Sequence, residues 1–183
     1  YSHKLKKIVF IGNLSAALLA VWPFFAILLY YYQPTSIEEL ERHKDHFAVI
    51  IAHASFLFLL ILIRELIKDL ENLKGDLANN YHTIPVFYGE NWSKRISTVL
   101  TILTLVPVYI LIELYDVGYM DIYFYSSLIV LLFFLLLLWQ SNNKTHYIRL
   151  HNILKFLIVA GVFCIVLINP SVLWHGKNWL LKQ

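Results

Sequence analysis

Residues 64–76 carry seven charges in 13 positions: Arg64, Glu65, Lys68, Asp69, Glu71, Lys74 and Asp76. They follow directly on a run of apolar residues. A helix turns about 100° per residue, so Asp76, seven positions after Asp69, points within about 20° of it. Glu65 stands four positions before Asp69 and Asn72 three after, so Glu65, Asp69, Asn72 and Asp76 form one oxygen-rich stripe. Gly75 favours a helix break ahead of Asp76. Such a stripe suits a hard cation: Mg²⁺ takes one or two carboxylates, keeps waters and accepts phosphate oxygens at its other positions. Arg64 and Lys68, one turn apart on the flank, match the remaining oxygens of a diphosphate. The same charges also satisfy a solvated juxtamembrane helix with Glu65–Lys68 and Glu71–Lys74 pairs. Spacing alone does not choose between the two.

The elements that must position this stretch are apolar. The chain has 183 residues, 59% hydrophobic and 15% charged, against about 25% charged in a soluble domain. Its mean hydropathy is +0.63. One cysteine excludes a disulfide scaffold, and a net charge of +3 is too small and scattered for a nucleic-acid footprint. Four uncharged runs, 8–32, 47–63, 96–112 and 122–139, are 17 to 25 residues long, and a fifth, 156–168, has 13. A bilayer core needs about 20 helical residues, with a usable range of about 17–25. The fifth run reaches that length if it starts near Leu150 and Lys155 snorkels. Too little polar sequence remains to cover five such helices in a soluble protein. The expected fold is therefore all-α, a multi-pass transmembrane bundle with spans near 8–32, 47–66, 94–114, 120–139 and 150–169. The charged segment, 64–92, joins the second span to the third.

Eleven of the fifteen Lys and Arg fall on the side of this segment, which predicts that it is cytoplasmic and the C-terminus extracytoplasmic. Tyr30, Tyr31, Tyr32, Trp139, Trp174 and Trp179 stand at span ends, as interfacial aromatics do. Pro23 and Pro107 lie inside spans and predict plain kinks. The loop 33–46 reads as a solvated connector, with Ser36 and Glu39 capping a short helix.

The run RELIKDLENLKGD followed by HTIPVFYG resembles the second aspartate-rich motif of the UbiA superfamily of intramembrane prenyltransferases. Lys68, Asp69, Glu71, Gly75, Asp76, Thr83, Pro85 and Gly89 carry the likeness. The start, YSHKLKK with Gly12 and Asn13, resembles the family's cytoplasmic loop before its fifth helix. Two spans before the motif and three after it match the last five of the family's nine helices. The middle Asp of the family motif is Asn72 here, which keeps an oxygen ligand and loses a negative charge. The family's first aspartate-rich motif is not in the sequence. The resemblance implies that residues 1–183 are the C-terminal part of one prenyltransferase domain. They would be partnered by N-terminal helices that carry the other half of the metal site, and inactive alone.

The resemblance further implies transfer of a polyprenyl group from prenyl diphosphate to an acceptor, either an aromatic ring or a prenylglycerol phosphate. Asp69 and Asp76 would be catalytic, holding Mg²⁺ with Asn72 as a weaker ligand. Arg64 and Lys68 would bind the diphosphate, and Tyr1 with Lys4 or Lys6 would close over it. The spelling KDxENxKGD leans toward the prenylglycerol-phosphate or hydroxybenzoate branches. Asn13 and His53, polar and inside spans, are candidates for the acceptor or cavity wall; His82 is a candidate for the phosphate field. Membrane lipids are the surroundings, and no nucleic acid is expected. The competing reading is a non-catalytic multi-pass membrane protein or transporter subunit with an acidic docking loop.

Overall fold

A computed structural model describes residues 9–31, 37–115 and 120–164, without the side chains of 27, 28, 31, 37–47 and 164. Tyr1, Lys4 and Lys6, the ends of the first and fifth expected spans, Trp174, Trp179 and the C-terminus lie outside the described residues. Every regular element within them is helical. Three stretches are long and apolar enough to cross a membrane, Ala48–Glu71, Glu90–Leu114 and Met120–Gln140.

Helix α1, Ile11–Tyr31, runs through Pro23 without interruption. Helix α2, Ile37–Glu71, has 35 residues and exceeds the expected span at both ends. The connector 33–46 was expected to form a separate short helix. From Ile37 it is instead continuous with the span, because neither Gly nor Pro interrupts the sequence before Gly75. Helix α2 is the axis of the bundle. It buries Phe56, Leu57, Leu60, Ile63, Leu66 and Ile67 and packs against α1 and against the later helices.

Beyond Glu71 the chain turns once at Asn72 and re-enters helix α3, Leu73–Ala78. The expected break at Gly75 does not occur; Asp76 N–H still bonds Asn72 C=O at 2.9 Å. The helix ends two residues later in a Schellman motif. Tyr81 N–H reaches Asp76 C=O at 2.9 Å and Asn80 N–H reaches Leu77 C=O at 3.3 Å, with Asn80 at φ 52°. Asparagine tolerates that left-handed conformation, and residues 79 and 80 are both Asn. Thr83 and Pro85 then start α4, Ile84–Phe87. Gly89, at φ 88°, opens α5, Glu90–Leu103; a side chain there would be strained. The segment read as a loop is thus mostly helical, with residues 72, 79–83 and 88–89 outside the helices.

Pro107 interrupts the helical hydrogen bonding at a single residue and leaves Glu90–Leu114 one continuous stretch. It lacks an N–H, and its ring collides with the carbonyl four residues back, at Leu103. Helix α5 stops at that residue, and α6, Leu105–Tyr109, continues as the π-helical turn Ile110–Leu114. Helices α7, Met120–Gln140, and α8, Lys144–Cys164, complete the described bundle. They are held at Gly161, where the Tyr123 hydroxyl passes to bond Leu157 C=O at 3.0 Å. A Cβ on Gly161 would lie 2.5 Å from that oxygen.

The burial pattern is that of a membrane protein. Helix α5 buries Ser93, Lys94, Ser97, Thr101 and faces Val99, Ile102 and Leu103 outward. Helix α7 exposes Ile129, Leu132 and Phe133, and α8 exposes Phe156 and Phe163. Water penalises that arrangement and hydrocarbon favours it. Within the bundle the α5 hydroxyls bond carbonyls of their own helix, Thr101 to Ser97 and Thr98 to Lys94, both at 2.8 Å. The chain is an integral membrane, all-α bundle.

Candidate functional site

Helix α2 delivers Glu65 and Asp69 and, through the turn at Asn72, α3 delivers Asp76. All three are buried, at 8%, 4% and 3% exposure, and Asn72 is half-buried. A buried carboxylate is costly unless its oxygens are hydrogen-bonded or paired. For Asp69 a partner comes from α1: Asn13 Nδ2 donates to Asp69 Oδ2 at 2.8 Å across 56 residues of sequence. Asn13 was a candidate for the acceptor or cavity wall; the structure puts it on the carboxylate that it orients.

The flanking cations are engaged. Arg64 Nη2 meets Glu65 Oε1 at 2.5 Å, and Lys68 Nζ meets Glu65 Oε2 at 2.9 Å. The expected Glu65–Lys68 pair is therefore present. Glu71 does not take up the alternative partner, Lys74; it turns into the bundle and meets His151 Nδ1 of α8 at 2.9 Å. This fastens the end of α2 to α8, a contact that the local spacing of charges did not foreshadow.

One turn deeper than Asp69, a cavity of about 270 Å³ opens between α1, α2 and α8. Ala16, Ala20 and Phe24 line it from the face of α1 that bears Asn13. Leu57, Ile61 and Glu65 line it from the face of α2 that bears Asp69, with Arg64 at the same end. Ile158 and Val162 close it from α8. Asp69 and Asp76 are not among its lining residues. The arrangement is an apolar hollow with ionic groups at one end. His53 is buried between Phe24 and Phe124, with ring centroids 6.0 and 6.1 Å away, and neither of its nitrogens has a hydrogen-bond partner among the described residues. It is outside the cavity lining. His82 is exposed, near Phe87.

A second polar cluster anchors the far end of the motif segment. Lys94, only 3% exposed, was counted among the cytoplasmic loop charges. It lies instead one turn inside α5, donating to Ser141 C=O at 2.5 Å and meeting Glu90 at 3.1 Å. The Tyr147 hydroxyl donates to the same Glu90 carboxylate. Burial first, then the hydrogen bond and charge of Glu90, push the Tyr147 hydroxyl above its ordinary pKa of 10.0. No periodicity announced this cluster, since its members come from three separate stretches.

The donor set at Asp69 and Asp76 is all oxygen, the chemistry of a hard cation. No group of three His, Cys, Asp or Glu converges among the described residues. Mg²⁺ takes one or two carboxylates, keeps waters and takes phosphate oxygens at its other positions.

Comparison with known proteins agrees with the motif. The chain is 31% identical to digeranylgeranylglyceryl phosphate synthase of Methanosphaera stadtmanae over 126 residues, 67% of this chain and 41% of that protein. It is 34% identical to the synthase of the same name from Saccharolobus solfataricus over 107 residues, 58% of this chain and 34% of that protein. With the synthase of Methanopyrus kandleri identity is 46% over 55 residues, 28% of this chain and 20% of that protein. The chain spans about two-fifths or less of the length of these relatives. No solved structure matches it. The sequence profile of the UbiA prenyltransferase family matches residues 1–154, and the chain belongs to that family.

Proposed function

We propose that this chain forms part of an intramembrane prenyltransferase that moves a prenyl group from prenyl diphosphate to a prenylglyceryl phosphate. The observation that carries the reading is the buried Asp69, bonded by Asn13, one helical turn beyond the Glu65 that stands at the ionic end of an apolar hollow. The choice of acceptor is supported by the relatives named digeranylgeranylglyceryl phosphate synthase.

In this reading Asp69 and Asp76 hold Mg²⁺, with Asn72 as a weaker ligand and Asn13 positioning Asp69. When bound, the metal supplies neutralisation of the charge that develops on the leaving oxygens. Arg64 and Lys68 bind the other diphosphate oxygens, as fixed donors do for a leaving group. The bond between the allylic carbon and the diphosphate oxygen breaks, and the electron pair leaves with the diphosphate. The acceptor hydroxyl oxygen bonds to that carbon, and its proton passes to solvent or to the departing diphosphate. The apolar wall of Ala16, Ala20, Leu57, Ile61, Ile158 and Val162 accommodates hydrocarbon and keeps water from the cation. Tyr1 and Lys4 or Lys6, which lie outside the described residues, would contribute further contacts to the diphosphate. The motif segment faces the cytoplasm, the C-terminus lies on the opposite side, and a further aspartate-rich segment outside this sequence completes the metal site.

The test is prenyl transfer by the full-length protein in membranes, with labelled prenyl diphosphate and a panel of acceptors. Activity is expected with prenylglyceryl phosphate, to be abolished by EDTA, and to fall at least about 100-fold in Asp69→Ala. Full activity in Asp69→Ala, or in EDTA, refutes the assignment.

A further inference from the structure

We propose that Glu65 is a resident counter-anion, which holds Arg64 and Lys68 until the diphosphate arrives and gives them up to it. The inference rests on the proposed diphosphate site and adds a residue that sets its affinity.

Glu65 uses both carboxylate oxygens, one for each cation: Oε1 for Arg64 and Oε2 for Lys68. The Lys68 bond is an ordinary one-turn pair. The Arg64 bond is not. Neighbouring residues on a helix point about 100° apart and do not face each other, so the guanidinium has swung round to the carboxylate.

The exposures are graded in the same sense. The side chain of Glu65 is 11% exposed, that of Arg64 28% and that of Lys68 40%. The anion is therefore inside and the cations are reachable from outside. Both cations keep more accessible surface than the carboxylate that holds them. The buried Nε of Arg64 has no hydrogen-bond partner among the described residues, so Glu65 is the anion that the guanidinium meets. Arg64 and Glu65 together line the ionic end of the cavity.

The physical consequence is competition. A buried carboxylate left without its cations is unfavourable, so any incoming anion must offset the bonds that Glu65 loses. A diphosphate carrying about three negative charges, with oxygens for both cations, does so through charge-assisted and bidentate bonds. Neutralising Glu65 removes the competitor and leaves the two cations in place.

The experiment uses the purified full-length protein with Mg²⁺, reading the inhibition constant of inorganic pyrophosphate and the KM for prenyl diphosphate. Glu65→Gln is expected to tighten pyrophosphate binding by about tenfold, the equivalent of two partly exposed ion pairs released. KM should fall with it. The gain should vanish when Arg64→Gln and Lys68→Gln are present, which a merely structural role for Glu65 would not produce. Unchanged or weaker pyrophosphate binding in a Glu65→Gln protein that melts like the wild type overturns the proposal. If Glu65→Gln melts early, Glu65→Asp decides. Its retracted carboxylate should give an intermediate gain, and no gain overturns the proposal. A wild-type protein that neither transfers prenyl groups nor binds pyrophosphate overturns the diphosphate site, and the exchange with it. Turnover with no gain in either variant overturns the exchange alone.

Discussion

Replacing Lys94 with methionine keeps the stem volume and deletes the ammonium. Lys94 is buried at 3% exposure, so its charge is retained only through its contacts. These are Ser141 C=O at 2.5 Å, Glu90 at 3.1 Å, Asn142 Oδ1 at 3.4 Å and the Tyr147 ring at 5.8 Å. Loss of a hydrogen bond from a charged donor costs about 1.5–3 kcal/mol. The pair with Glu90, whose side chain is 34% exposed, adds about 0.5 kcal/mol. The ring contact adds about 0.5 kcal/mol more. Against these, the mutant no longer keeps an ammonium out of water, a relief of similar order. The relief is incomplete, because Ser141 C=O and Glu90 lose one donor each and are left to share the single Tyr147 hydroxyl proton. The net expectation is a destabilisation of about 1 kcal/mol, the share left by two acceptors short of a donor, or roughly 2 °C in melting midpoint for the longer full-length protein. Thermal melting of the detergent-solubilised full-length protein measures it. A Lys94→Met protein that melts at or above the wild-type temperature would refute the reasoning. It would mean that dehydration of the ammonium outweighs everything it touches.

Two further outcomes are expected. Asn13→Ala removes the 2.8 Å bond to Asp69. It should raise the Mg²⁺ concentration for half-maximal prenyl transfer about tenfold, as outer ligands do, with a smaller change in KM for prenyl diphosphate; an unchanged Mg²⁺ requirement refutes that role. The raised pKa of Tyr147 means that the folded state favours its neutral form. Its contribution to stability is thus full below pH 10 and lost as pH rises beyond it. Melting curves from pH 8 to pH 11 should therefore converge for wild type and Tyr147→Phe as pH increases, and a constant gap between them refutes the assignment.

Hydropathy and charge determined much of this protein without reference to its folding partners. The expected span 120–139 falls on α7, Met120–Gln140, because a bilayer core sets the length of an apolar helix whatever its neighbours are. That Glu65 and Asp69 share a face was legible for a similar reason, since residues one turn apart on one helix are placed by helical geometry alone, whereas Asp76 lies beyond the turn at Asn72 in α3. The break ahead of Pro107 is equally local, a missing N–H and a steric clash, though its extension into a π-helical turn was not foreseen.

What only the tertiary structure decided is which groups meet across the sequence. Asn13 and Asp69 are 56 residues apart, Glu71 and His151 are 80, and Lys94 and Ser141 are 47. Asn13 and Glu71 pair with distant helices, and Lys94, beside its one-turn neighbour Glu90, also bonds Ser141 C=O in the connection between α7 and α8. The reason is energetic: within a bundle that excludes water, a charge or amide must find its partner in the protein, and helix packing determines which partner lies within reach.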